Sequence, residues 1–290
     1  MLRGKLYLVP VPIGNLKDIT LRALEVLKQV DRILAEDTRT SGILLAEYEI
    51  DTPLISYHQH NEQSRVEKVL SILEANQNVA LITDAGMPCI SDPGSIIVEK
   101  LIVEGFEVIA LPGANAAITC LAASGLNTDQ YTYLGFLPLK GKSRADQLAH
   151  LSRIEHTVII YEAPHRILKT LADLIELDLG ERKLTVGREL TKRYETYLRT
   201  TVKGAYDYYQ EEKPRGEFVL ILEGLSDFKL RNPELETEDF LTQEKNAIND
   251  LNKLIQGGMH TKSAANFIAE KYQMNKNKLY RKALEIHEET

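Results

Sequence analysis

Most residues suited to chemistry sit in four turns, each following a short apolar run. The densest is Thr83-Asp-Ala-Gly-Met-Pro-Cys-Ile-Ser-Asp-Pro-Gly, which packs two Asp, two Gly and two Pro into twelve residues. A turn that only reverses the chain rarely needs so many special backbone positions. This one therefore reads as a binding loop, its glycines admitting a ligand close to the backbone. In Val9-Pro-Val-Pro-Ile-Gly-Asn-Leu-Lys-Asp-Ile-Thr, Pro10 and Pro12 stiffen the exit from a strand and Gly14 allows close approach. Thr20 there is placed to cap the next helix. A rigid strand-to-helix turn explains that segment equally well. Ala110-Leu-Pro-Gly-Ala-Asn-Ala-Ala opens a helix of small residues running to Ala123, which suits either close approach by an adenosine or tight helix–sheet packing. Tyr161-Glu-Ala-Pro-His-Arg sets a carboxylate, an imidazole and a guanidinium at one strand end, and is ambiguous alone.

Groups for proton transfer lie elsewhere. Ser56-Tyr-His-Gln-His-Asn-Glu offers His58 and His60, whose imidazoles titrate near neutrality, with Asn61 beside them. Spacing of two puts both imidazoles on one side of an extended segment but says little on a loop, and a surface loop is the plain alternative. Glu36, Asp37 and Arg39 follow another apolar run. There a helix N-cap with acidic first-turn residues competes with a chemical role, and Asp37 can serve both. Asp37, Arg39, His58 and Asn61 are the candidates for base or substrate positioning. Arg39, Arg166, Arg188 and Arg193 suit phosphate contacts, each with a solvated ion pair as the alternative. Tyr57 and Phe136 suit stacking on a splayed base, although core packing fits Phe136 better. Gly-x-Gly-x-x-Gly, the P-loop, Gly-x-Ser-x-Gly and His-Glu-x-x-His are all missing from the sequence, which removes dinucleotide, NTPase and hydrolase readings.

The elements that hold these turns follow from periodicity. Strands are expected at Leu6–Val9, Arg32–Ala35, Val79–Thr83, Glu107–Leu111, Thr157–Tyr161, Lys183–Val186 and Glu217–Leu222. Amphipathic helices such as Leu21–Val30 and Arg65–Ala75 lie between several of them, with apolar residues three and four apart. Alternation of this kind implies parallel strands with helices on the sheet faces, so ligands should bind beyond the strands' carboxyl ends. The reading is two α/β domains, residues 1–125 and 126–225, then an acidic and polar linker over 226–243, then a helical appendage over 244–290. Within the appendage, helices are expected at Ala247–Gln256, Lys262–Lys271 and Lys276–His287, the last two capped by Thr261 and Asn275. Lys276, Lys278, Arg281 and Lys282 form a basic stretch on or near the last helix, either an RNA-touching face or a solvated one.

Composition narrows the class. The chain has 290 residues, 43% of them hydrophobic, enough for real cores. No run reaches the ~18–20 uncharged apolar residues of a membrane span. Pro10 and Pro12 cut the first apolar run too short for a signal-peptide core. Two cysteines, Cys89 and Cys120, make neither a disulfide framework nor a zinc motif, and a reducing cytosol is the expected setting. The net charge of −7 argues against non-specific coating of nucleic acid, so any RNA partner needs a local basic patch.

Taken in order, eight segments resemble the tetrapyrrole methylase family of S-adenosylmethionine enzymes. They are Val11-Pro-Ile-Gly-Asn-Leu-Lys-Asp, Ala35-Glu-Asp-Thr-Arg, Ser56-Tyr-His-Gln-His-Asn-Glu, Asp84-Ala-Gly-Met-Pro-Cys-Ile-Ser-Asp-Pro-Gly, Leu111-Pro-Gly-Ala-Asn-Ala-Ala, Gly135-Phe-Leu-Pro, Glu162-Ala-Pro-His-Arg and Gly187-Arg-Glu-Leu. The resemblance runs from residue 8 to about 223 and is closest to the family's RNA-directed branch, which methylates a cytidine 2′-hydroxyl. Val-Pro-Ile-Gly and Gly86-Met87-Pro88 depart from the porphyrin and corrin branch in the direction of the RNA branch. The resemblance implies S-adenosyl-L-methionine in a cleft between the two domains, contacted mainly by backbone. It carries the cofactor contacts to Ile13, Gly14, Ala85, Gly86, Met87, Ile90, Asn115, Ala116, Glu162 and Gly187, with no metal. It also implies 16S rRNA within the 30S subunit as substrate, and a homodimer.

Overall fold

A computed structural model describes residues 3–272, 274, 276, 279 and 280, and over 235–244 the backbone alone. The chain forms two compact units, residues 1–225 and 226–290.

The first half of the larger unit alternates strictly: β1 (Lys5–Leu8), α1 (Leu21–Gln29), β2 (Arg32–Ala35), α2 (Thr38–Glu47), β3 (Leu54–Ser56), α3 (Glu62–Glu74), β4 (Val79–Ile82), α4 (Ser95–Val103) and β5 (Glu107–Ala110). Its sheet has the order β3-β2-β4-β1-β5 and every pairing is parallel. Both faces are covered, and β4 shows how. Val79 and Leu81 point into a core with Val66, Leu73, Ile97 and Leu101 of α3 and α4. Ala80 and Ile82 point the other way, toward Ala23, Leu27, Leu44 and Leu45 of α1 and α2. A strand buried on both sides must be apolar throughout, which is why Val-Ala-Leu-Ile stands out in the sequence. Thr20 caps α1, its Oγ1 accepting from the Ala23 N–H at 3.1 Å.

The second half follows with α5 (Ala116–Ser124), β6 (Tyr131–Phe136), α6 (Gly141–Leu151), β7 (Thr157–Glu162), α7 (Ile167–Glu176), β8 (Lys183–Arg188), β9 (Thr196–Thr201), α8 (Val202–Glu211) and β10 (Phe218–Leu222). The sheet order is β6-β7-β10-β8-β9. Here the expectation of parallel pairing fails. Only β6 and β7 are parallel, while β10 inserts antiparallel between β7 and β8, and β8 pairs antiparallel with β9. The connection from β8 to β9 is a short hairpin, too short for a parallel crossover. Strands β3, β6 and β9 were not expected. β3 is only three residues long, and the half-buried faces of β6 and β9 mix Thr, Tyr and Arg with few aliphatics. One face of this sheet packs on α6, α7 and α8 through Val158, Ile160, Val186, Leu220 and Leu222. The other face, Ile159, Val219 and Ile221, receives α5 through Ala117, Cys120 and Leu121. The helix that leaves the first sheet thus lies on the second.

In the smaller unit, α9 (Leu225–Arg231) leads to α10 (Pro233–Gln256), which pairs with α11 (Thr261–Tyr272) around Ala247, Leu251, Ala264, Ala265 and Ile268. The linker expected over 226–243 is therefore helical. Pro233 sits at the first turn of α10, where its missing N–H costs nothing, so it starts a helix within the expected linker. Gly257 and Gly258 end α10, Gly258 at φ +88°. Thr261 is the first residue of α11, inside the helix it was expected to cap. Asn275, Lys278, Arg281 and Lys282, and with them the expected third helix, lie largely outside the described residues. No helix among the described residues is long and apolar enough to cross a membrane.

Candidate functional site

Beyond the carboxyl end of β4 the chain runs through Thr83–Gly94 with positive φ at four positions: Gly86 (+76°), Cys89 (+71°), Ser91 (+64°) and Gly94 (+130°). Two of these are not glycine, and each such backbone costs ~1–3 kcal/mol, so the surrounding contacts must over-determine it. They do. Gly86 and Val11 exchange two backbone hydrogen bonds of 2.9 and 3.0 Å, which tie this loop to the turn after β1. The Ser91 and Tyr133 hydroxyls meet at 2.6 Å, tying it to β6 of the second sheet. A Cβ on Gly94 would lie 2.6 Å from Leu81 Cδ2 and 2.7 Å from Cys89 Sγ, so only glycine fits there.

The loop forms one wall of a cavity of about 360 Å³, inside the ~300–1,000 Å³ range of ligand clefts. Ile13, Ala85, Gly86, Met87 and Ile90 line it from the first half, with Asn115 and Ala116 at the start of α5. Phe136, Tyr161, Glu162, Ala163, Pro164, Glu217, Phe218 and Val219 close it from the second half. Both sheets therefore contribute strand ends to one recess. Asn115 Oδ1 accepts from the Ile118 N–H at 3.1 Å and Tyr161 Oη accepts from the Ala117 N–H at 3.1 Å. Those two bonds satisfy neighbouring donors of the first helical turn and leave the Ala116 N–H at the cavity wall for a ligand.

Eight of the ten residues expected to contact a cofactor line this cavity; Gly14 and Gly187 do not. Both serve protein packing. A Cβ on Gly14 would lie 2.4 Å from Lys192 Cγ and 2.9 Å from Thr191 Oγ1, and one on Gly187 would lie 2.5 Å from Cys120 Sγ. What approaches these glycines is the 190–192 loop and α5. Glu162 lines the cavity, but its carboxylate is committed to the protein. Oε1 accepts from the Ala163 N–H at 2.9 Å and pairs with Arg166 Nε at 3.1 Å, while Oε2 accepts from Thr170 Oγ1. Arg166 also donates to the Leu137 carbonyl.

The four candidates for acid–base or positioning roles stand just behind the loop. Asp37 caps α2, accepting from the Arg39 N–H at 2.8 Å and from its guanidinium at 2.8 and 3.1 Å. Those hydrogen bonds hold the Asp37 carboxyl down to about 2. The Asp37 N–H in turn donates to Asp84 Oδ1 at 3.2 Å. His58 sits in a loop with Asn61, whose Oδ1 accepts from the His58 N–H at 2.9 Å and whose amide lies 3.1 Å from His58 Nε2. His58 Nδ1 is buried without a hydrogen-bond partner. None of the four lines the cavity.

The sequence reading missed or misplaced several residues. Asp92 belongs to the loop singled out for its two aspartates, yet only the fold shows that it is the one in the cavity wall. Burial, with Glu36 and Asp84 nearby, pushes its carboxyl up to about 7. Burial likewise raises Glu36. Phe136, expected in the core, is 51% exposed at the cavity mouth and packs edge-on against Tyr161 at 5.6 Å. Tyr57, expected to be available for stacking, is fully buried.

A family model for tetrapyrrole (corrin/porphyrin) methylases matches residues 5–205. The Synechocystis sp. protein named ribosomal RNA small subunit methyltransferase I is 44% identical over 283 residues, 98% of this chain and 98% of its own. A protein of the same name from Bacillus subtilis is 42% identical, over 96% of this chain and 93% of its own. Among solved structures, diphthine synthase superposes with a TM-score of 0.61 at 12% identity, over 76% of this chain and 90% of that one. A uroporphyrin-III C-methyl transferase from Thermus thermophilus complexed with S-adenyl homocysteine gives 0.56 at 17% identity, over 76% of this chain and 97% of that one. These two likenesses concern the fold alone. The chain belongs to the tetrapyrrole methylase family, in the group of the ribosomal RNA small subunit methyltransferase I proteins.

Proposed function

We propose that the protein transfers a methyl group from S-adenosyl-L-methionine to the 2′-oxygen of a cytidine in 16S ribosomal RNA. The observation that carries this reading is the recess itself, where backbone-exposing loops from both sheets meet around an apolar floor of Ile13, Ile90 and Val219. Such a lining fits the flat, uncharged adenosine of the cofactor better than a polyanion. The backbone of Ala85–Met87, the free Ala116 N–H and the turn at Ala163 would hold it, and Phe136 and Tyr161 stand at the rim for the substrate. Bound there, S-adenosylmethionine supplies an electrophilic methyl group. The chain's own work is to set the ribose oxygen in line and exclude water, a positioning effect of up to ~7–11 kcal/mol.

A ribose hydroxyl is a weak nucleophile, and Asp92, in the cavity wall, is assigned to take its proton. Its carboxyl titrates at about 7, so near neutrality it can both exist as carboxylate and bind a proton. Asp37 and Arg39 sit behind it and, with His58 and Asn61, are assigned to positioning the RNA; the side chain of Arg39 is 89% exposed. The RNA is taken to be presented within the 30S subunit, to a cytoplasmic homodimer.

Labelled S-adenosylmethionine incubated with 30S subunits from a strain lacking the enzyme tests the reading. The expected product is an alkali-resistant 2′-O-methyl dinucleotide in the small-subunit RNA. Label in a porphyrin extract in place of RNA would move the assignment to small-molecule C-methylation. An absence of cofactor heat in a calorimeter would leave only a non-catalytic assembly role.

A further inference from the structure

A second recess, of about 470 Å³, opens between the β8–β9 hairpin and α8. Its lining includes Arg188, Lys213 and Arg215, against the single carboxylate of Glu212, together with Tyr197 and Tyr208. In a chain of net charge −7 such an excess of cations is local and needs a reason. Glu189, which also faces the Arg188 charge, and Glu217 are both engaged by Lys192 Nζ, at 2.9 and 3.0 Å, which leaves Lys213 and Arg215 as the cations of the recess. The side chains of Lys213 and Arg215 have no hydrogen-bond or ion-pair partner among the described residues. Arg188 donates from Nε to the Arg215 carbonyl at 2.7 Å, which fixes the loop carrying them.

The recess is aligned with the first cavity. Glu162, Phe218, Arg188 and Thr196 pair successively across β7, β10, β8 and β9, forming one row at the same end of the sheet. At ~4.8 Å per strand, Arg188 stands ~10 Å from Glu162. Glu162 and Phe218 line the cavity, while Arg188 and Thr196 line the recess. A rigid aromatic series joins them: Tyr208 packs edge-on against Tyr209 at 5.0 Å, and Tyr209 against Phe218 at 5.5 Å. The outermost ring, Tyr208, is 47% exposed.

We propose that this recess is a second RNA subsite, in which Lys213 and Arg215 hold a phosphodiester and Tyr208 stacks a base of the single strand flanking the modified nucleotide. Cations beside an exposed aromatic face are the chemistry of single-stranded nucleic-acid grooves. The subsite supplies a local basic patch within an acidic chain. It rests on the reading of the protein as an RNA methyltransferase, but its test does not depend on methyl transfer.

The test is binding of a short fluorescein-labelled single-stranded RNA, followed by anisotropy over a range of salt concentrations. In the double variant Lys213→Ala/Arg215→Ala, the slope of log affinity against log salt should flatten by ~0.7, the value for one phosphate neutralised on a single strand. Tyr208→Ala should weaken binding with the slope retained, because stacking releases no counterion. All three residues are exposed, so the fold should persist, and S-adenosylmethionine affinity measured by calorimetry should match the parent chain. Affinity and slope equal to the parent's in the double variant would overturn the subsite. Failure of the parent chain to label 30S RNA, with the slope change still present, would overturn the enzyme reading and leave the subsite standing.

Discussion

After β4 the backbone passes through four positive-φ positions, and after β8 it passes through two, Glu189 at +51° and Thr191 at +65°. Both stretches belong to segments with glycine at a tight place, and both touch the opposite half of the larger unit. The first reaches across with the Ser91–Tyr133 contact, and the second with Thr191 Oγ1, which accepts from the Asn15 N–H at 3.1 Å. Their glycines nevertheless do opposite things. Gly86 has only Ile13 Cγ2, at 3.4 Å, and the Ala114 carbonyl, at 3.9 Å, near its missing Cβ, so its open side is the cavity. The missing Cβ of Gly187 is replaced by Cys120 Sγ at 2.5 Å, so its open side is already filled by protein. A glycine therefore marks close approach without saying what approaches. Strained backbone facing empty space is the better sign of a ligand.

The largest effect is expected at the ligand-facing loop. Asp92→Asn should lower kcat by ~10²–10⁴, the usual worth of a positioned base, with cofactor affinity nearly unchanged. In the parent chain, kcat should fall as pH drops through about 7, because the carboxylate form is then lost, and the Asn variant should lack that limb. The stability sign is the reverse of an ordinary ion pair. A carboxyl raised from 3.8 to about 7 binds its proton more tightly in the native state, so stability declines as pH rises between those values. The uncharged amide of the Asp92→Asn variant mimics the protonated carboxyl, so that variant should be the more stable one at pH 8 and equal to the parent near pH 4. A kcat–pH profile that is the same in both chains would remove Asp92 from the chemistry.

Next comes Gly187→Val, whose side chain must displace Cys120 and with it α5. An overpacking cost of ~1–3 kcal/mol is expected in urea unfolding. Any loss of cofactor binding should then track the loss of folded protein. If the variant is stable yet fails to bind S-adenosylmethionine, the distinction between the two glycines breaks. The smallest stability effect is expected for Gly86→Val, where space exists but φ is +76°. A left-handed backbone costs ~1–2 kcal/mol for an L side chain. That variant should unfold cooperatively while losing cofactor heat in calorimetry, and full affinity in the folded variant would place the cofactor elsewhere.

Much of the larger unit was legible from residue pattern, and the reasons are local. The first sheet is read easily because strands such as Val79–Ile82 are buried on both faces and carry no polar residue. β9, Thr196–Thr201, is half exposed, and its pattern of Thr, Tyr, Leu and Arg does not separate strand from loop. The tail misled for a comparable reason. Ser226–Asp239 is polar with one proline, but Pro233 falls where a helix tolerates it best.

The amino-acid order by itself determined the strand–helix alternation of the first half apart from β3, and the loops that line the cavity. These depend on side-chain burial period and on backbone freedom, which are properties of neighbours in the chain. The tertiary structure alone decided the mixed pairing of the second sheet, the assignment of α5 to that sheet, and the facing of each glycine. It also brought Asp92 beside Glu36 and Asp84, and set Arg188, Lys213 and Arg215 around one recess. Burial energies and carboxylate repulsions of this kind depend on distance in space, and residues far apart in sequence become neighbours only when the two sheets have formed.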